Sequence, residues 1–183
     1  DTLVQIQSAI KGVAATCVHI LIDRGLIDLG TPVATYWPEF AANDQGRIKV
    51  RHVLAQTSGL VYAEGVASGD FYRPDVMAAA LAAQPALWEA GTKAGYQMVT
   101  QGFLIAEIVR RVDGRSIGGF IAEEIAGPLG ADIHLGLNDE QIARTANLIF
   151  PQASAQLSID PGALVFKAMN GIPGPPAVIS NTA

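Results

Sequence analysis

The chain has 183 residues, half of them hydrophobic, enough for the core of one ordinary domain. The 12 Lys and Arg against 17 Asp and Glu leave a formal charge of -5, which argues against a nucleic-acid or anionic-lipid partner. Mean hydropathy is high at +0.29, but Asp23, Arg24 and Asp28 interrupt the most apolar stretch, 13–29, before it could span a bilayer, and the single cysteine, Cys17, can form neither an internal disulfide nor a cysteine metal cluster.

Residues 1–7 contain neither an initiator Met nor a basic segment followed by an apolar one, so they read as neither a natural start nor a signal peptide, and the compartment stays open. Val4 to Gln7 alternates apolar and polar, as a short extended approach would. From Ser8, a natural N-cap, the residues Ile10, Val13, Ala14, Cys17, Val18 and Leu21 recur at helical spacing until Arg24-Gly25. A turn at 26–32 leads to a short helical piece at 33–36, closed by Pro38. A second short helix, or a strand-to-helix step, is expected over 47–56. An alanine-rich run predicts helix over 74–83 with Pro74 in the first turn. The widest apolar face belongs to 98–112, ended by Asp113-Gly114. Ser116 should cap a helix through Ile125 that stops at Gly127-Pro128. Weaker helical patterns cover 139–148 and 161–169. The Pro/Gly-rich 171–183 reads as a linker into a further segment, so the chain is expected to be a piece of a longer protein. With almost no candidate strand, the fold class is mainly α.

Two serine motifs compete. Ser8-Ala9-Ile10-Lys11 is an S-x-x-K: on a helix the two side chains lie roughly 60° apart around the axis and about 4.5 Å along it, which puts the amine within reach of the hydroxyl. A serine hydroxyl needs a base to take its proton, and a lysine serves only when unprotonated. Burial among Ile10, Val13 and Ala14, and the positive end of a helix, would both disfavour the ammonium form. The Ser8 backbone N–H, at the helix start, could point toward a developing oxyanion. The bland alternative makes Ser8 an N-cap and Lys11 a solvated first-turn residue, and about 0.15 such tetrapeptides arise by chance at this composition. The second motif, Gly114-Arg115-Ser116-Ile117-Gly118, matches the G-x-S-x-G elbow, but that device needs a strand before the serine, and here a helix precedes it.

Context decides between them. Ser8-x-x-Lys11 on an apolar helix is followed by Asp28-Leu29-Gly30-Thr31-Pro32-Val33, by Tyr36-Trp37-Pro38-Glu39-Phe40, and by Val50-Arg51-His52-Val53-Leu54-Ala55-Gln56-Thr57-Ser58-Gly59-Leu60. Then come Trp88-Glu89-Ala90-Gly91-Thr92, Tyr96, Glu107-Ile108-Val109 and Ile125-Ala126-Gly127-Pro128-Leu129-Gly130. In order and spacing over roughly 3–137, this resembles the serine β-lactamase-related superfamily of class C β-lactamases, DD-peptidases and β-lactamase-like carboxylesterases. The resemblance implies the all-α lobe and nucleophile helix of a β-lactamase/transpeptidase-like two-lobe α/β fold, with the sheet largely missing and an incomplete domain over 1–170. It implies Ser8 as acylated nucleophile, Lys11 as its proton partner, and Tyr96 as general base or proton relay. A phenol is ordinarily neutral near pH 7, so that role requires a positive neighbour such as Lys11. Ignoring the resemblance, Tyr96 reads as a half-buried tyrosine hydrogen-bonded across a loop.

His52 is structural in this pattern, and His19 and His134 have no metal-ligand spacing, so neither metal nor organic cofactor is implied. The lactamase and peptidase branches carry Tyr-x-Asn where this chain has Tyr96-Gln97-Met98, and methionine cannot hydrogen-bond a substrate amide. That favours a carboxylesterase acting on a small ester, with a β-lactamase or DD-peptidase as first alternative and a non-catalytic helical interaction module as second. The third motif and the second oxyanion donor are expected beyond Ala183.

Overall fold

The computed structural model describes residues 1–149 together with Ala163, Leu164, Lys167 and Ala168. Helix α1 (Ile10–Asp23) runs through the core because Ala14, Cys17, Val18 and Leu21, one stripe at helical spacing, are all buried. Gly25 ends it at φ 71, donating its N–H to the Ile22 carbonyl at 2.8 Å. Next come α2 (Val50–Leu54), α3 (Pro74–Ala83) and α4 (Thr100–Asp113). Leu104, Ile105, Ile108 and Val109 of α4 are buried, and this helix packs against α1, α2, α3 and α5 (Ile117–Ile121). Trp37 and Phe40, ring centroids 5.0 Å apart, and Phe120 complete the core.

The connection after α1 follows from its residues. The Asp28 carboxylate accepts from the Gly30 N–H at 2.7 Å and the Thr31 hydroxyl at 3.3 Å, an Asx-type turn, and the Tyr36 hydroxyl accepts from the Asp28 N–H at 2.9 Å. A 3₁₀ turn at Val33–Thr35 follows, then 3₁₀ turns within Pro38–Arg47 on either side of a kink where Asn43 and Asp44 have positive φ. Among the described residues the extended pairings are two isolated bridges, Leu3 with Thr145 and Pro32 with Lys49. The chain is mainly α, as its patterning predicts.

Several boundaries differ from expectation. Ser8 does not cap α1; it lies inside a 3₁₀ turn, Gln7–Ala9, that feeds the helix, and no side chain caps α1. The reversal comes one residue earlier, at Gln7 with φ 49. The helix capped by Ser116 does not stop at Gly127-Pro128. It widens into a π turn at Ala122–Ala126, where the Gly127 N–H reaches the Ala122 carbonyl, and continues as α6 (Gly127–Leu129) to Gly130 at φ 58. Proline lacks an N–H and crowds the carbonyl four residues back, and the wider turn accommodates both defects. The pattern at 139–148 shortens to α7 (Asp139–Ala143), because the chain then leaves to pair with the N-terminal segment: Leu3 N–H to Arg144 carbonyl, 3.0 Å, and Ala146 N–H to Leu3 carbonyl, 2.9 Å. Of the expected helix over 161–169, the Lys167 N–H meets the Ala163 carbonyl at 3.2 Å; the rest, and the linker at 171–183, fall outside the described residues.

Candidate active site

Released from capping, the Ser8 hydroxyl is free for other partners. Lys11, one turn further on, brings its Nζ to 3.2 Å from Ser8 Oγ. The same amine donates to the Met98 carbonyl at 2.8 Å, which anchors it to the segment that carries Tyr96. Tyr96 Oη lies 2.6 Å from Ser8 Oγ, and its ring centroid is 5.1 Å from Lys11 Nζ. Three side chains from two segments 88 residues apart thus meet at one oxygen. The departure at position 98 has a consequence of its own: methionine contributes through its backbone, so the contact with Lys11 does not depend on its side chain.

The meeting point rests on the segment that carries Tyr96. Gly95 must be glycine, since a Cβ there would come within 2.6 Å of the Trp88 ring and 2.8 Å of Val61. Trp88 is held in turn by its indole N–H on the Lys93 carbonyl at 3.0 Å. On the other side of Tyr96, Gln97 is fully buried and donates its amide to the Leu60 carbonyl at 2.9 Å. The hydrogen bond to Ser8 holds the Tyr96 phenol below its ordinary pKa of 10; burial opposes it, and the positive charge of Lys11 adds to the lowering. The Tyr96 residue as a whole is half exposed.

The other sequence candidates separate from this cluster. Ser116 accepts from the Gly119 N–H at 3.1 Å as the N-cap of α5, and an added Cβ at Gly118 would run into the Leu135 carbonyl. Each conspicuous residue of G-x-S-x-G therefore has a packing or capping role. His52 Nδ1 accepts from the Lys49 N–H at 3.2 Å at the start of α2; burial, then the charges of Arg51 and Lys49, keep its pKa low. His19 is exposed on α1, and His134 sits against Asp132 at 2.7 Å. Burial pushes the Cys17 thiol up to about 11, which leaves it unreactive. Among the described residues no group of three His, Cys, Asp or Glu could hold a metal ion, and no helix is long and apolar enough to cross a membrane. Sequence reasoning missed the glutamines that brace the Tyr96 segment: the buried Gln97 and Gln101 and the partly buried Gln56. Nothing in their spacing marks them, because each acts on backbone distant in sequence.

The family model described as Beta-lactamase matches residues 1–170. The chain belongs to the beta-lactamase family. Within that family it is 38% identical over 154 residues to Esterase/beta-lactamase LipL of Mycobacterium tuberculosis, covering 83% of this chain and 36% of LipL. A solved family VIII carboxylesterase superposes at TM-score 0.84 with 37% identity, over 96% of this chain and 46% of that one. A penicillin-binding protein homolog from Caulobacter crescentus gives 0.81 and 37%, over 87% and 44%. This beta-lactamase family chain therefore spans less than half the length of these relatives.

Proposed function

We propose that this beta-lactamase family chain carries the nucleophile and general base of a serine carboxylesterase acting on small esters. The observation that carries the reading is the convergence on Ser8 Oγ of Tyr96 Oη at 2.6 Å and Lys11 Nζ at 3.2 Å. In the acylation step the Tyr96 phenolate, held by the Lys11 charge, takes the Ser8 proton while Oγ attacks the ester carbonyl carbon. The Ser8 amide N–H stabilises the resulting oxyanion, and the tetrahedral intermediate collapses as the alkoxide leaves with the proton from Tyr96. Water then attacks the acyl-enzyme, passing its proton to Tyr96; Ser8 recovers that proton as the carboxylic acid departs. Lys11 thus acts as the electrostatic partner of Tyr96, which is the division of labour that its anchoring on the Met98 carbonyl suits.

Two of the relatives are named as esterases and one as a penicillin-binding protein homolog, so a β-lactamase or peptidase is the second reading. Met98 in place of an amide donor supports the ester. The test is to treat the full-length protein with a fluorophosphonate and map the adduct by peptide mass spectrometry, then compare p-nitrophenyl butyrate with nitrocefin. An adduct on Ser8, lost in Ser8→Ala, with turnover of the butyrate ester, is expected. No adduct, or one on Ser116, overturns the reading, and turnover of nitrocefin alone transfers it to the β-lactam branch.

A further inference from the structure

Gln56 follows α2 in a left-handed conformation, φ 57, which a side chain rarely adopts and which here turns the residue toward the segment carrying Tyr96. Its backbone carbonyl accepts from the Gly95 N–H at 3.1 Å and its side-chain Oε1 accepts from the Gln97 N–H at 2.7 Å. These are the backbone N–H groups of the two residues on either side of Tyr96. The other end of the Gln56 amide donates to Gln101 Oε1 at 3.3 Å, and Gln101, nearly fully buried on α4, donates to the carbonyls of Val53 and Leu54, both at 3.0 Å. A single residue in a costly backbone conformation therefore grips both sides of Tyr96, and it is tied through Gln101 to the core helix and to the end of α2.

We infer that Gln56 is a positioning residue for the reaction: its two carbonyl oxygens clamp Gly95 and Gln97, fixing the Tyr96 hydroxyl at hydrogen-bonding distance from Ser8. The inference rests on Tyr96 being the base. The physical reason is that a half-exposed tyrosine on a loop has little packing of its own to fix its oxygen, whereas proton transfer demands placement to within a fraction of an ångström. Hydrogen bonds to the backbone N–H of the residue before and the residue after Tyr96 restrict the segment that aims the ring. Without the side-chain bond, the Gln97 end of the clamp opens and the phenol samples positions away from Ser8 and Lys11.

The test uses three variants of the full-length protein with p-nitrophenyl butyrate. Gln56→Met keeps the side-chain length and removes the acceptor. Gln56→Glu restores an oxygen to the Gln97 N–H. Gln56→Gly adopts the left-handed turn without strain and so folds even if the methionine variant does not. Loss of kcat/KM by about tenfold to a hundredfold is expected for the Met and Gly variants, with KM little changed and the ascending limb of the pH profile moved upward as Tyr96 leaves its partners. The Glu variant should keep activity within about threefold of the parent, a rescue that general loosening of the loop would not produce. Parental rates and pH profiles in the Met or Gly variant would overturn the inference, as would equal losses in all three. Tyr96→Phe, assayed alongside, separates the two claims: full activity there removes Tyr96 as base, while its inactivity beside an unaffected Gln56→Met removes only the clamp.

Discussion

A tyrosine can serve as base near neutrality only where its anion has company, and at Ser8 the company consists of one hydroxyl and one amine. Tyr96→Phe deletes the accepting oxygen while keeping the ring, so kcat/KM for a p-nitrophenyl ester should fall about 10²–10⁴-fold, the usual worth of a placed general base. Lys11 acts on the same group through charge. Because it draws the Tyr96 pKa down, Lys11→Met should move the ascending limb of the kcat/KM profile to higher pH as well as lowering its plateau. The sign follows from the base being active when deprotonated: raise its pKa and more alkali is needed to reach the same phenolate fraction. A pH profile that keeps its midpoint in Lys11→Met would show that the two groups are electrostatically independent. The roles of Ser8, Lys11 and Tyr96 came with a resemblance read from motif order, and only their distances could show that the three side chains meet.

At the scale of elements, the joint between α4 and α5 illustrates how a motif can match without chemistry. Gly114 ends one helix at φ 92, Ser116 starts the next, and Gly118 lets α5 lie against the Leu135 carbonyl. Ser116→Ala should cost about 1 kcal/mol of stability, as an N-cap loss does, and leave turnover of p-nitrophenyl butyrate by the full-length protein at the parental rate. Gly118→Ala should cost more, about 2 kcal/mol, since its new methyl meets a backbone carbonyl that cannot swing aside. Urea denaturation of the two variants measures both, and an activity loss in Ser116→Ala that outruns the stability loss would reopen the elbow. The helices themselves were largely legible: 14, 17, 18 and 21 on α1 are both the sequence stripe and the buried stripe. Their ends were less so. Ser8 has the composition of a cap, and it fails to be one because Gln7, the residue before it, takes a left-handed turn that local propensity disfavours.

Across the whole molecule, ionic bridges tie helix ends that the core leaves at the surface. Glu124, in the π turn, meets Arg24 at the end of α1 at 2.5 Å and Arg115 at 2.7 Å, and Arg115 also holds Asp113 at 2.5 Å. The Glu124 carboxyl is drawn from 4.5 to about 2, first by Arg24 and then by Arg115. Since the folded value lies below the unfolded one, its contribution is complete above about pH 4.5 and disappears as the pH falls toward 2. Melting temperatures measured between pH 6 and 2 should therefore drop less steeply in Glu124→Gln than in the parent, and parallel curves would mean that the bridge contributes nothing. Elsewhere opposing effects meet on one residue: burial raises the Glu107 pKa, but hydrogen bonds from Arg110 and Arg111 outweigh it, and the group stays low. By itself the sequence determined the helical class, the buried stripes of α1 and α4, and the S-x-x-K pair, because each depends on residues within a few turns of one another and on a period of 3.6. Only the tertiary structure decided that Tyr96 reaches Ser8, that the Met98 carbonyl anchors Lys11, and that Gln56 grips both neighbours of Tyr96. Those contacts join segments from 39 to 88 residues apart through backbone atoms and single side chains, and backbone atoms are the same in every residue, so they leave no mark in the order of the letters.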